Sequence, residues 1–155
     1  DIKKTIAEQQ LDIVPVEGQE LDEEQQTALD DAIAQITDED IYNYILEMNP
    51  DVKGIFATNG DTTMQALTAC EGKDMKDVVI MGYDADQEEI DAMKDGRIAG
   101  MIVQNPYGMG YATVVAEARC VLNMGNEANV NTGYTWVTPD NIENRTVQDI
   151  LYAEK

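Results

Sequence analysis

The chain has 155 residues, 43% of them apolar, which is enough for one domain with a sizeable core. Aspartate and glutamate outnumber lysine and arginine 31 to 10, giving a formal charge of −21. That balance argues against nucleic acid, whose binding rests on neutralising phosphates, and against anionic membrane surfaces, and it favours a small neutral ligand.

In chain order, Asp1–Gln10 reads as the back of a helix, with Ile2 and Ile6 on one face and no cap in front of it. Leu11-Asp-Ile-Val-Pro-Val16 reads as a short strand closed by Pro15 and Gly18, with Pro15 at its end or on an edge. From Asp22 to Gln35 a helical stripe carries Ala28, Leu29, Ala32 and Ile33 and continues to Ile36. A further helix opens at Thr37, capped with the help of Asp40, and is expected to bury Ile41, Tyr44, Ile45 and Met48 before Asn49-Pro50 ends it. Between Thr5 and Val52 there is no basic residue and there are fourteen acidic ones, a pattern that reads as a solvated helical face. A calcium loop around Asp38-Glu39-Asp40 is set aside, because the alternating acidic pattern with its central glycine is absent.

Three stretches then repeat one grammar. The apolar run Gly54–Ala57 ends in Thr58-Asn59-Gly60 and passes into a helix over about 62–72. Val78-Val-Ile-Met-Gly-Tyr-Asp84 leads into a helix from Asp86 to Lys94, stopped by Gly96. Ile98-Ala-Gly-Met-Ile-Val-Gln104 leads through Asn105-Pro106 into a long helix ending near Asn123. Brief apolar blocks without alternation, bounded by turn residues and followed by helices, are buried parallel strands joined by right-handed crossovers. Ligands of such sheets bind outside the carboxyl ends of the strands, so Asn59, Asp84 and Gln104 share one rim. Gly108 and Gly110 imply a close backbone approach, to the sheet or to a ligand. Gly133–Thr138 alternates as a half-exposed strand.

No catalytic constellation is visible. The chain lacks histidine, the commonest general base and transition-metal ligand, and it carries no nucleophile elbow, phosphate-binding loop or complete dinucleotide fingerprint. Cys70 and Cys120 stand far apart beside alanine and valine, which favours two buried thiols over a disulfide and leaves zinc without a ligand set. One acid flanked by two amides suits the reading of hydroxyl groups, since a charged acceptor roughly doubles the strength of each hydrogen bond. The bland alternative is that Asn59, Asp84 and Gln104 cap helices and satisfy loops.

The wording of three stretches carries a resemblance: Asn49–Asn59, Val78–Asp84 and Asp95–Gly110, in that order. They resemble the C-terminal lobe of the ribose- and galactose-type sugar-binding proteins of bacterial ABC importers, specifically over about 49–141 and more loosely before it. The resemblance implies an α/β fold with an open parallel sheet and helices on both faces, one lobe of the periplasmic-binding-protein type 1 fold. It implies that Asn59, Asp84 and Gln104 bond a monosaccharide in a cleft between two lobes, with no cofactor and no enzymatic step. It implies an ABC permease as partner, an extracytoplasmic location, and a hinge-crossing strand over 133–141.

Departures from the family pattern shape the expectation. The N-terminal lobe, the first strand of this lobe and the start of its first helix, with a ligand-binding arginine, have no counterpart, and Leu21 stands nearest to where an aromatic often stacks on the sugar. The chain is therefore expected to be an incomplete lobe spanning 1–155 with about half a site. A sheet with a vacancy invites strand addition, so a strand-completed or domain-swapped dimer is the expected remedy. A sugar-sensing regulatory domain, chemosensory or of repressor type, is the alternative function.

Overall fold

The computed structural model describes residues 1–14, 16 and 20–151, which fall into two compact units, the described residues of 1–52 with 68–76 and those of 53–67 with 77–151.

The first unit is helical. Helix α1 (Ile2–Gln10) packs on α2 (Glu23–Gln35) and α3 (Asp38–Met48) through the buried side chains of Ile6, Ala7, Leu29, Ile36 and Leu46. Contrary to expectation α1 is capped, by Asp1, whose carboxylate accepts the Lys3 N–H at 3.1 Å. The cap at Thr37 falls where the sequence placed it, with Thr37 accepting the Asp40 N–H at 3.2 Å, and Asp22 caps α2 by accepting the Gln25 N–H at 2.8 Å. Each closes a capping box that satisfies otherwise orphaned amides.

Two expectations in this unit need correction. On α3 the fully buried residue is Leu46, with Ile41 and Tyr44 half-buried, whereas Ile45 and Met48 are exposed. A helix of eleven residues with apolar groups on the adjacent positions Ile45 and Leu46 leaves its inner face ambiguous in sequence. Leu11–Val16 forms no strand over its described residues, and Pro15 lies outside them; Leu11 instead ends α1 and Asp12 turns the chain at φ 53°. Without a ladder partner, β-branched residues alone do not hold a strand.

The second unit carries the sheet, β1 (Gly54–Phe56), β2 (Val79–Tyr83), β3 (Gly100–Gln104) and β4 (Tyr134–Val137), in that spatial order. The first three strands are parallel, and the connections between them run through α4 (Gly60–Gly72) and α5 (Gln87–Lys94). Strand β4 joins antiparallel to β3, reached after α6 (Pro106–Val121) and followed by the short α7 (Arg145–Gln148). The result is an open α/β sheet.

Register sorts the two faces, since paired residues point the same way. One face carries Ile80, Met101, Val103 and Val137, all buried. Here α4 comes so close that a Cβ on Gly82 would lie 2.6 Å from Thr63 Cγ2. The opposite face carries Phe56, Val79, Met81, Ile102 and Trp136, and Phe56 and Val79 are more than half exposed. On that face the Trp136 ring lies over Gly100. Helix α6 contains no buried residue, and its Tyr107, Tyr111 and Val114 stand in water.

Local stops behave as their chemistry dictates. Gly96, at φ +76°, lets Arg97 N–H reach the Ala92 carbonyl at 2.8 Å and closes α5. Pro106 opens α6 behind Asn105, whose Oδ1 accepts the Gly108 N–H at 2.8 Å. The close approach expected at Gly108 is to that Asn105 amide, 2.5 Å from where a Cβ would stand, while Gly110 faces open space. Cys70 is buried and Cys120 is exposed, both as free thiols, so only one of the two expected buried thiols is buried.

Candidate functional site

The rim is built by three adjacent parallel strands that end at nearly the same height. Because Gly54 pairs with Val79 and Tyr83 with Ile102, the chain leaves the sheet at Asn59, Asp84 and Gln104 in spatial order. Neighbouring strands lie about 4.8 Å apart, so the three tips are spread over roughly 10 Å.

Asp84 sits at the centre. Its N–H still donates to the Ile102 carbonyl at 2.9 Å, so the ladder persists to this residue. Its φ is then +78°, in the left-handed region that aspartate tolerates better than most side chains. Holding a non-glycine residue there costs about 1 kcal/mol or more, and such positions concentrate where function fixes them. The half-buried carboxylate accepts the Gln104 Nε2–H at 2.9 Å. That bond consumes one lone pair of Oδ1 and leaves the rest of the acceptor capacity, together with the Gln104 side-chain oxygen, open among the described residues.

Asn59 is exposed at the third tip. Its Oδ1 accepts the Thr62 N–H at 2.9 Å and its own N–H donates to Thr62 Oγ1 at 3.3 Å, so it caps α4. The bland reading of this residue is therefore correct for its carbonyl oxygen, while Nδ2 has no partner among the described residues. Thus the structure bonds Asp84 to Gln104 and places Asn59 on the next strand without a direct bond to either.

Two residues beside the rim escaped the sequence reading. Asn105 donates from Nδ2 to the Thr132 carbonyl at 2.9 Å, tying the segment before β4 to the start of α6. Glu89 on α5 is 1% exposed, and its Oε2 accepts the Asp86 N–H at 3.0 Å. Burial, reinforced by the Asp86 and Asp84 carboxylates and opposed by hydrogen bonds from the Asp86 backbone and Thr63, pushes its pKa up to about 7. The spacing Asp86-x-x-Glu89 is a capping-box signature and could have marked it. No cluster of three or more acidic or cysteine side chains among the described residues is arranged to hold a metal ion.

The sequence matches the periplasmic binding protein domain over residues 2–119. The chain belongs to this family. The ribose import binding protein of Salmonella typhimurium is 35% identical over 66 residues, an alignment covering 43% of this chain and 22% of that protein. Among solved structures, an ABC transporter solute-binding protein from Agrobacterium vitis bound with α-D-tagatopyranose superposes with a TM-score of 0.69 at 20% identity. The match covers 84% of this chain and 49% of that one. A carbohydrate transporter solute-binding protein from Agrobacterium radiobacter, in complex with D-arabinose, gives a TM-score of 0.66 at 25% identity over 83% of this chain and 50% of that one. As a family member the chain thus carries the expected type 1 lobe architecture, and it spans about half the length of these solved relatives.

Proposed function

We propose that the rim of Asn59, Asp84 and Gln104 is one half of a monosaccharide site, and that the whole protein is the solute-binding component of an ABC importer. The observation that carries this reading is the Asp84 carboxylate held by Gln104 at 2.9 Å between strand tips. A fixed anionic acceptor flanked by an amide that both donates and accepts can bond two neighbouring hydroxyls of a sugar. Nothing at the rim supplies an activated nucleophile or a base paired with one, so binding without chemistry is the function proposed.

The remaining contacts come from a second lobe, which closes on the sugar about a hinge. Residues 133–141 suit one hinge crossing: Thr138 N–H donates to Asn141 Oδ1 at 2.9 Å and Asn141 Nδ2 donates to the Trp136 carbonyl at 2.9 Å, fixing the exit from β4. The closed form presents itself to the permease outside the cytoplasm. In the absence of the partner lobe, the free edge of β1 accepts a strand from a second copy, giving a strand-completed or domain-swapped dimer.

Native mass spectrometry with D-ribose, D-arabinose and D-tagatose tests both parts. The reading expects one sugar bound per site, weakly by the chain alone and more tightly in a dimer or with a second lobe. A chain that stays monomeric and takes up none of the three at millimolar concentration, alone or with the second lobe supplied, would overturn it.

A further inference from the structure

Glu89 is a buried acid that the proposed sugar contacts do not use. Its carboxyl group lies in the angle between the first turns of α4 and α5, the two helices that follow the strand tips bearing Asn59 and Asp84. Oε2 accepts the Asp86 N–H at 3.0 Å and is pressed against Gly60, where a Cβ would lie only 3.2 Å away. Oε1 is buried and has no hydrogen-bond partner among the described residues.

The residues around this carboxyl hold the rim. Thr63, which lies beside Glu89, donates its hydroxyl to the Asn59 carbonyl at 2.7 Å and accepts the Tyr83 N–H at 3.3 Å. One threonine thus ties the tip of β1 to the last residue of β2. On the other side, Asp86 is two residues from Asp84 and closes the turn in which Asp84 takes its left-handed conformation. Glu89 touches both halves of this connection.

We propose that Glu89 is a positioning residue for the rim: with its carboxyl neutral it locks Asn59 and Asp84 in the arrangement described, and with its carboxyl ionised it releases them.

The physical reason is the unpartnered oxygen. A neutral carboxyl tolerates one buried oxygen without a donor, whereas a carboxylate buried in that way does not. The charged groups that face it are Asp84 at the end of β2 and Asp86 at the cap of α5, both acids. From α4 it meets Thr63 and the Gly60 backbone, and Asp61 and Glu88 line the open depression beside it, so the charged groups around it oppose a negative charge, against the hydrogen bonds from the Asp86 N–H and Thr63 that favour one. Ionisation therefore drives the side chain towards that depression and water. The Asp86 N–H loses its acceptor and the contact with Gly60 opens, separating the α4 and α5 turns. Burial and the two acids place this change near neutral pH. The consequence for a ligand rests on the sugar-binding reading above: the binding-competent fraction falls as pH rises.

The test is NMR titration of the 155-residue chain and its Glu89→Gln variant between pH 5 and 9. The Glu89 carboxyl carbon is expected to titrate near neutrality, and the amides of Asn59, Gly60 and Asp84 to move with the same midpoint. In Glu89→Gln those amides hold their low-pH positions throughout. A carboxyl that titrates below pH 5, or variant amides that move as in the parent chain, overturns the proposal. Should the variant fail to fold, agreement or disagreement between the parent carboxyl and amide midpoints decides.

D-ribose titrated calorimetrically at pH 6 and pH 8 gives the second readout. About tenfold weaker binding at pH 8 follows if only the neutral form is competent, with no change in Glu89→Gln. Equal ribose affinity at both pH values in the parent chain also overturns the proposal. No ribose binding at either pH counts against the sugar reading alone, and the resonances then decide the role of Glu89.

Discussion

Replacing Glu89 by glutamine keeps the shape of the neutral carboxyl and removes its titration. Glu89 is 1% exposed, and its pKa stands at about 7 against an ordinary 4.5. Between those two values the folded chain keeps a proton that the unfolded chain has lost, so the stability due to this group falls as pH rises. It is fully present below about 4.5 and gone above about 7. A separation of about 2.5 units at about 1.4 kcal/mol each amounts to roughly 3 kcal/mol. The informative quantity is the stability difference between Glu89→Gln and the parent chain, in which the contributions of carboxylates remote from Glu89 cancel. Urea unfolding at pH 5, 6, 7 and 8 measures it. The variant is expected to gain on the parent progressively over this window, by about 2 to 3 kcal/mol in total. A difference that stays constant from pH 5 to 8 would refute the buried, neutral state of this residue.

Three further perturbations probe separate parts of the chain. Asp84→Asn removes the charge from the central acceptor while keeping its shape; sugar affinity should fall about 10- to 100-fold, the range of a charged hydrogen bond, with the thermal midpoint little changed. Calorimetry and a thermal melt on one sample separate the two effects. Gly82→Ala sets a methyl 2.6 Å from Thr63 Cγ2 and should cost about 1–3 kcal/mol in denaturant unfolding. Cys120, exposed, should react with a thiol reagent at once, whereas Cys70, 3% exposed and with its thiol pKa raised chiefly by burial, should react only on unfolding.

Much of the fold could be read from local signals because those signals are local in origin. The strands of Ile55, Ile80 and Ile102 are short apolar runs cut off by turn residues, and the helices behind Asp22 and Thr37 begin at side chains that satisfy their own first amides. The tips Asn59, Asp84 and Gln104 could be named as candidates for the same reason: Asp84 and Gln104 directly end apolar strands, and Asn59 follows Thr58 at the end of the third. What depended on distant partners was hidden. The bond between Asp84 and Gln104 exists only through the pairing of Tyr83 with Ile102. Glu89 lies among Asp86, Glu88 and Asp91, and the approach of Gly60 and Thr63 from α4 helps to bury it. Leu11–Val16 has strand composition, but no partner gives it a ladder over its described residues.

The open sheet face has a colloidal consequence. Phe56, Val79 and Trp136 give two approaching copies an attraction that reaches only across contact distance. The acidic surface repels over a longer range, about 8 Å at physiological ionic strength. Dispersal of the chain therefore rests on a barrier of charge, not on an absence of adhesive surface. Acid that brings the chain towards its isoelectric point near 4.1 lowers the barrier and leaves the adhesive face as it was. Salt thins the same barrier from outside. Acid and salt are therefore expected to bring copies of the chain together through this exposed face.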